Sequence, residues 1–222
     1  MPDIVTFEIR DNVAVIRMDD GKANALSPAM SKAIGAGLDI AAVDAKAIVL
    51  TGRPGVLCGG YDLRIIRGDD SAERDSMRAL GTELMKRLYL SPQPIVWACT
   101  GHAVAAGAIL LMTGDVRIGR RGDFKIGLNE TAIGLPLPQI GLEFARDRLN
   151  PLELQMATVM AKLYGPEEAV SAGYLDRVTE GDVLIEAIEE AKRLAQLDAI
   201  AFAETKSRLR QPTIDRVAIL RR

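Results

Sequence analysis

Apolar and polar residues alternate through I-V-T-F-E-I-R (4–10), D-N follows, and V-A-V-I-R-M (13–18) runs back, which predicts a β-hairpin. Ser27 and Pro28 then supply an N-cap and a first helical residue for a helix reaching about Ala42. A-I-V-L-T-G (47–52) is apolar without interruption and ends at glycine, the pattern of a parallel strand buried on both faces. A long helix is predicted over about 71–90, and a second buried strand over P-I-V-W-A-C-T-G (94–101). A small-residue helix follows at 103–113, with strands at 115–119 and 124–126. From about Pro136 the pattern is helical, broken only near Y-L-D-R-V (174–178). Strands alternating with helices before a helical last third define an α/β chain, divided into 1–135 and a mainly helical 136–222.

Composition narrows the function classes. The 222 residues are 48% hydrophobic, enough for a substantial core. A formal net charge of −2 excludes the clustered basic excess that nucleic-acid binding requires. The basic clusters, Arg117–Arg120–Arg121 and Arg221–Arg222, suit solvated faces. Two cysteines, Cys58 and Cys99, cannot build a disulfide framework, which favours a reducing compartment such as the cytoplasm. The first residues carry no signal-peptide pattern, and no apolar run is long enough to span a membrane. One histidine and no ligand cluster imply no metal site.

Two apolar strands lead into stretches of very small residues, L-C-G-G-Y-D-L-R (57–64) and G-H-A-V-A-A-G-A-I-L-L (101–111). Absent side chains let a ligand reach backbone N–H groups, so two such stretches aimed at one point would make an oxyanion hole. Close helix–strand packing explains either stretch alone equally well. Neither matches a phosphate loop or a dinucleotide fingerprint. A third stretch, G-L-N-E-T-A-I-G-L (127–135), sets the carboxylate of Glu130 in an almost wholly uncharged run.

In order and spacing these segments resemble the crotonase family of enoyl-CoA hydratases and isomerases. G-K-A-N-A-L (21–26) matches an early family segment that lies against CoA, which assigns Lys22, Ala23 and Ala25 to that ligand. L-C-G-G-Y-D-L (57–63) is similar to the family's F-x-A-G-x-D-[LI], which assigns the first oxyanion N–H to Tyr61 and ligand contacts to Gly60, Asp62 and Leu63. T-G-H-A-V-A-A-G-A (100–108) resembles N-G-x-A-x-G-G-G, which assigns the second N–H to Ala106, with Gly107 and Ile109 beside the ligand. Y-G-P-E-E-A-V-S-A-G-Y-L-D-R-V (164–178) resembles a later family stretch. The resemblance implies a spiral of ββα repeats with a helical C-terminal trimerisation region, and a homotrimer or dimer of trimers. It implies an acyl-CoA substrate, with CoA entering as part of the thioester and no separate cofactor. Relatives continue for a further helix or so beyond A-F-A-E-T-K (201–206), and Lys206 matches a lysine that often reaches the CoA phosphates.

Family hydratases hold water between two glutamates. The first position is Ile109 here and the second is Glu130. One carboxylate suffices to move a double bond from C3–C4 to C2–C3 of an acyl thioester, and G-L-N-E-T is similar to the matching segment of Δ3,Δ2-enoyl-CoA isomerases. Burial near Leu128, Ile133 and Leu135 should raise the Glu130 pKa. Two alternatives stay open: a hydratase drawing a second carboxylate from Asp69, Asp70, Glu73 or Asp75, and an acyl-CoA-binding subunit with weak turnover. The sole histidine, His102, suits a structural role, and Asp62 suits a helix cap.

Overall fold

The computed structural model describes residues 3–219, so Arg221 and Arg222 lie outside it. Strands β1 (Val5–Arg10) and β2 (Val13–Met18) pair antiparallel across a tight turn. Asp11 and Asn12 hold that turn with φ of 49° and 64°, the left-handed pair that matches strand twist in a two-residue hairpin loop. Helix α1 (Pro28–Asp44) starts where Ser27 caps it, its hydroxyl accepting from the Met30 N–H at 3.2 Å.

The chain then winds as a spiral. Each turn lays one strand into a large sheet and the next into a small one: β3 (Ala47–Thr51) with β4 (Gly55–Cys58), β5 (Ile95–Cys99) with β6 (Gly101–Val104), and β7 (Val116–Arg120) with β8 (Ile126–Gly127). Helices α2 (Leu63–Arg67) and α3 (Ser71–Tyr89) follow the first of these turns, and α4 (Ala106–Leu111) the second. A 3-10 turn (Thr131–Ile133) and helices α5 (Gln139–Arg148), α6 (Leu154–Thr158) and α7 (Pro166–Ala172) lead to β9 (Arg177–Thr179), α8 (Val183–Leu194) and α9 (Ala199–Ile219). The large sheet runs β1-β2-β3-β5-β7-β9, parallel from β2 onward, and the small sheet β4-β6-β8 is wholly parallel.

Both faces of the large sheet are covered, which is why its inner strands carry no polar alternation. Ala14, Ile16, Ile48, Leu50, Ile95 and Trp97 face the main core under α1, α3 and α4. Val13, Val15, Val49, Val96, Ala98 and Ile118 meet Val183, Ala187, Ile188 and Ala191 of α8. Position 135 is no break in this core: Ile140, Phe144, Tyr174 and Val217 pack in the same cluster as Met85 and Trp97, and β9 joins the large sheet beside β7. The helix expected over 103–113 begins at Ala106, because 101–104 pair as a strand between β4 and β8. Strand β4 and helix α2 carry too few residues for a periodic signal and were not expected. Among the described residues no helix is long and apolar enough to cross a membrane.

Candidate active site

The small sheet brings the three motif segments together. The segment ending in Gly60 and Tyr61 leaves β4, Ala105 and Ala106 leave β6, and Asn129 and Glu130 leave β8. Parallel pairing puts all three departures at one edge, where ligands of parallel α/β sheets bind. The backbones are close: a methyl at Gly60 would stand 3.0 Å from Cβ of Ala105 and 3.6 Å from the amide nitrogen of Ala106. Gly60 holds φ +98°, so the approach needs glycine twice over, for conformation and for space. A methyl at Gly107 would collide with the carbonyl of Cys58, so α4 sits directly on the end of β4. Among the described residues neither the Tyr61 nor the Ala106 N–H donates to a protein acceptor, which leaves both to a ligand.

Ala105 precedes this helix at φ 51°, ψ −125°, a conformation that L residues avoid. Such strain costs roughly 1–3 kcal/mol. Ala105→Gly is therefore expected to raise stability by about 1 kcal/mol in urea denaturation. An equal or lower stability would show that the backbone there is not strained.

Glu130 lies at the mouth of β8. Its carbonyl accepts from Ile133 N–H at 3.1 Å and Leu135 N–H at 3.0 Å, and Gly134 at φ +77° closes the turn. Ile126 and Tyr164 exchange paired backbone bonds and anchor the strand from behind. The residue is 7% exposed, and its Oε2 has no hydrogen-bond partner among the described residues. Burial raises its pKa, partly offset by the backbone N–H groups of Glu130 itself and Asn129. Glu130 opens into a cavity of about 380 Å³, and among the described residues no other carboxylate lines it. Gly59, Tyr61, Ala105 and Asn129 share the lining with Glu130; Leu63, Ile66, Ile133, Leu135 and Leu137 make an apolar wall; Arg78 and Thr82 line it from α3. The Tyr61 ring leans on Gly81 of α3, where a methyl would collide with it, and burial pushes the phenol pKa up to about 12.

The other motif residues are placed as follows. The 21–26 segment runs beside the end of β4, with Gly59 N–H donating to Ala23 at 2.8 Å and Leu26 N–H donating to Gly60 at 2.8 Å. Lys22 and Ala23 are exposed there and Ala25 is half-buried. Asn24 is fully buried and donates to Met18 and Leu57 carbonyls, each at 3.1 Å. Asp62 caps α2, accepting from Arg64 N–H at 2.9 Å, and pairs with the Arg64 guanidinium at 2.7 Å. Ile109 is fully buried and packs against Gly141 of α5, away from the cavity lining. His102 Nδ1 accepts from Lys125 N–H at 3.0 Å, a structural contact.

Lys206, which the resemblance assigns to the CoA phosphates, is 6% exposed and its ammonium pairs with Asp115 at 2.6 Å, outside the lining of the Glu130 cavity. Burial depresses its pKa to about 8 against the opposing pull of Asp115. The acidic stretch offers no second carboxylate either, since Asp70 caps α3 and Asp69, Glu73 and Asp75 lie exposed, outside the cavity lining. Arg78, Thr82 and Asn129 went unnoticed in the sequence. Asn129 Oδ1 is buried without a partner beside Glu130, and adjacency to that glutamate was its only signal. Arg78 and Thr82 share a helix face by i,i+4 spacing, but spacing does not say what the face looks at.

The ββα spiral, with two mainly parallel sheets and a helical C-terminal part, is the architecture of crotonase-fold proteins. A family profile described as enoyl-CoA hydratase/isomerase matches residues 8–219, and the chain belongs to that family. A probable enoyl-CoA hydratase of Rhodobacter capsulatus is 32% identical over 209 residues, covering 91% of this chain and 79% of the relative. A solved enoyl-CoA isomerase of Mycobacterium tuberculosis is 40% identical with TM-score 0.94, covering 99% and 96% of the two chains. Human mitochondrial Δ3,Δ2-enoyl-CoA isomerase superposes with TM-score 0.93 at 28% identity, covering 98% of this chain and 87% of that one. Hydratases and isomerases thus both stand among its relatives.

Proposed function

We propose that this protein is an enoyl-CoA isomerase that converts a 3-enoyl thioester to the conjugated 2-enoyl form. The observation that carries the reading is Glu130 as the one carboxylate lining the cavity among the described residues, and the resemblance puts Ile109 at the sequence position of a hydratase's second glutamate. The thioester carbonyl oxygen accepts from the Tyr61 and Ala106 N–H groups. The Glu130 carboxylate removes a proton from C2, the electron pair delocalises through C2–C4 onto the carbonyl oxygen, and the same carboxyl returns the proton at C4. No atom is gained or lost, so a single base closes the cycle. The amide donors favour the transition state because negative charge collects on the oxygen they hold. The apolar wall keeps the carboxylate poorly hydrated and hence more basic. CoA enters as part of the substrate, against the 21–26 segment. A homotrimer, implied by the resemblance, would cover the exposed Leu197, Ile200 and Leu209 of the C-terminal part.

Product analysis with two substrates tests the reading. A 3-enoyl-CoA should yield the 2-enoyl isomer, and a 2-enoyl-CoA should yield no 3-hydroxyacyl-CoA above the Glu130→Gln background. Rapid hydration of 2-enoyl-CoA without isomerisation would make the protein a hydratase. Binding of both thioesters without turnover would make it a binding subunit.

A further inference from the structure

The cavity carries one cation, and the isomerisation does not use it. Arg78 faces in from α3 and forms no ion pair among the described residues, whereas Arg87 on the same helix pairs with Asp39 at 2.6 Å. The Tyr61 phenol feels the charges of both Arg78 and Glu130. With CoA placed against the 21–26 segment, which contributes nothing to the lining of this cavity, the α3 side is left to the acyl chain. Along the cavity Leu63, Ile66, Leu135 and Leu137 suit methylenes, and the guanidinium at the α3 side does not.

We propose that Arg78 is a specificity-determining residue that takes a carboxylate at the far end of the acyl chain, making ω-carboxyacyl thioesters the preferred ligands of this cavity. The inference rests on the acyl-thioester reading of the Glu130 site. A guanidinium presents paired donors that match a carboxylate, whereas a terminal methyl placed there displaces its water and returns no hydrogen bond. Because Arg78 is exposed, solvent screens the pair, and the preference amounts to about tenfold rather than thousands.

Calorimetric titration with saturated, unreactive thioesters tests this without any turnover. Wild type should bind an ω-carboxyacyl-CoA about tenfold tighter than the acyl-CoA of equal length. Arg78→Met should erase the difference and Arg78→Glu should reverse it. Equal affinities in wild type, or a preference that survives Arg78→Met, would overturn the assignment. So would an Arg78→Met protein that loses affinity for free CoA to the same extent, since Arg78 would then serve the CoA phosphates. Isomerase assays on the same preparations keep the two readings apart: a carboxylate preference without isomerisation sinks only the reaction, and isomerisation without the preference sinks only the role of Arg78.

Discussion

Glu130→Gln is expected to lower kcat for 3-enoyl-CoA isomerisation by about 10³-fold, because no other carboxylate lines the cavity to take over the proton. Glutamine preserves the shape of the side chain, so binding of a saturated acyl-CoA should change little. The pH dependence follows from the raised pKa of Glu130. The active form is the carboxylate, so kcat should fall tenfold per pH unit on the acid side, breaking above the ordinary glutamate value of about 4.3. The same shift predicts the sign of a stability change. A carboxyl whose folded pKa exceeds its unfolded value holds its proton more tightly when folded. Its contribution to stability is complete below the unfolded pKa and is lost as pH rises through the folded one. At neutral pH the ionised Glu130 is therefore a burden on the fold, and Glu130→Gln should unfold at higher urea concentration than wild type while having lost its activity. A variant that keeps more than a tenth of wild-type turnover would remove Glu130 from the reaction. A variant less stable than wild type at neutral pH would remove the argument that its site is desolvated.

The largest expected effect on stability lies at Asp115, just before β7 and beside α9. Asp115→Asn is expected to cost about 3–5 kcal/mol in urea denaturation, the penalty for stranding buried cations. Asp115 accepts from Lys206 at 2.6 Å, from Arg210 at 2.9 Å and from the Ile95 N–H at 2.7 Å. Lys206 and Arg210 are 6% and 3% exposed, so both are poorly hydrated when the carboxylate is gone. Arg210 also donates to carbonyls of Tyr89, Thr113 and Gly114, and Arg216 pairs with Glu143 at 2.7 Å, which together fasten α9 across the ends of α3, α4 and α5. Asparagine can keep the bond to Ile95 through its amide oxygen, but it loses the charge and one acceptor, since its NH2 cannot accept from Arg210. Adding Lys206→Met to Asp115→Asn should recover part of the loss, since it removes one of the two stranded cations. A cost under about 1 kcal/mol would place this pair with surface ion pairs.

The contrast between Glu130 and Lys206 shows how much was legible in the sequence. Both are ionisable groups that the fold buries, Glu130 at 7% exposure and Lys206 at 6%. For Glu130, burial and a place in a cavity lining arose at a strand end that parallel pairing sets beside those of the two small-residue motifs. For Lys206 the deciding partner, Asp115, is 91 residues away, and no local pattern points to it. Strand β4 shows the same limit. Four residues carry no readable period, yet parallel pairing with β6 brings Gly60 against Ala105 and Ala106.

By itself the sequence determined the α/β alternation, the continuous apolar strands of the doubly covered sheet, the family, and the short list of backbone and acidic groups from which a site could be assembled. Those properties are local: they depend on side-chain period, on missing Cβ atoms, and on motifs of a few residues. Only the tertiary structure decided which groups share a cavity, that Ile109 turns into the core, that Lys206 is held by Asp115, and that Arg78 lines the same cavity as Glu130. Those are matters of distance between residues far apart in the chain, fixed by sheet order and helix docking, and side-chain chemistry alone carries no measure of them.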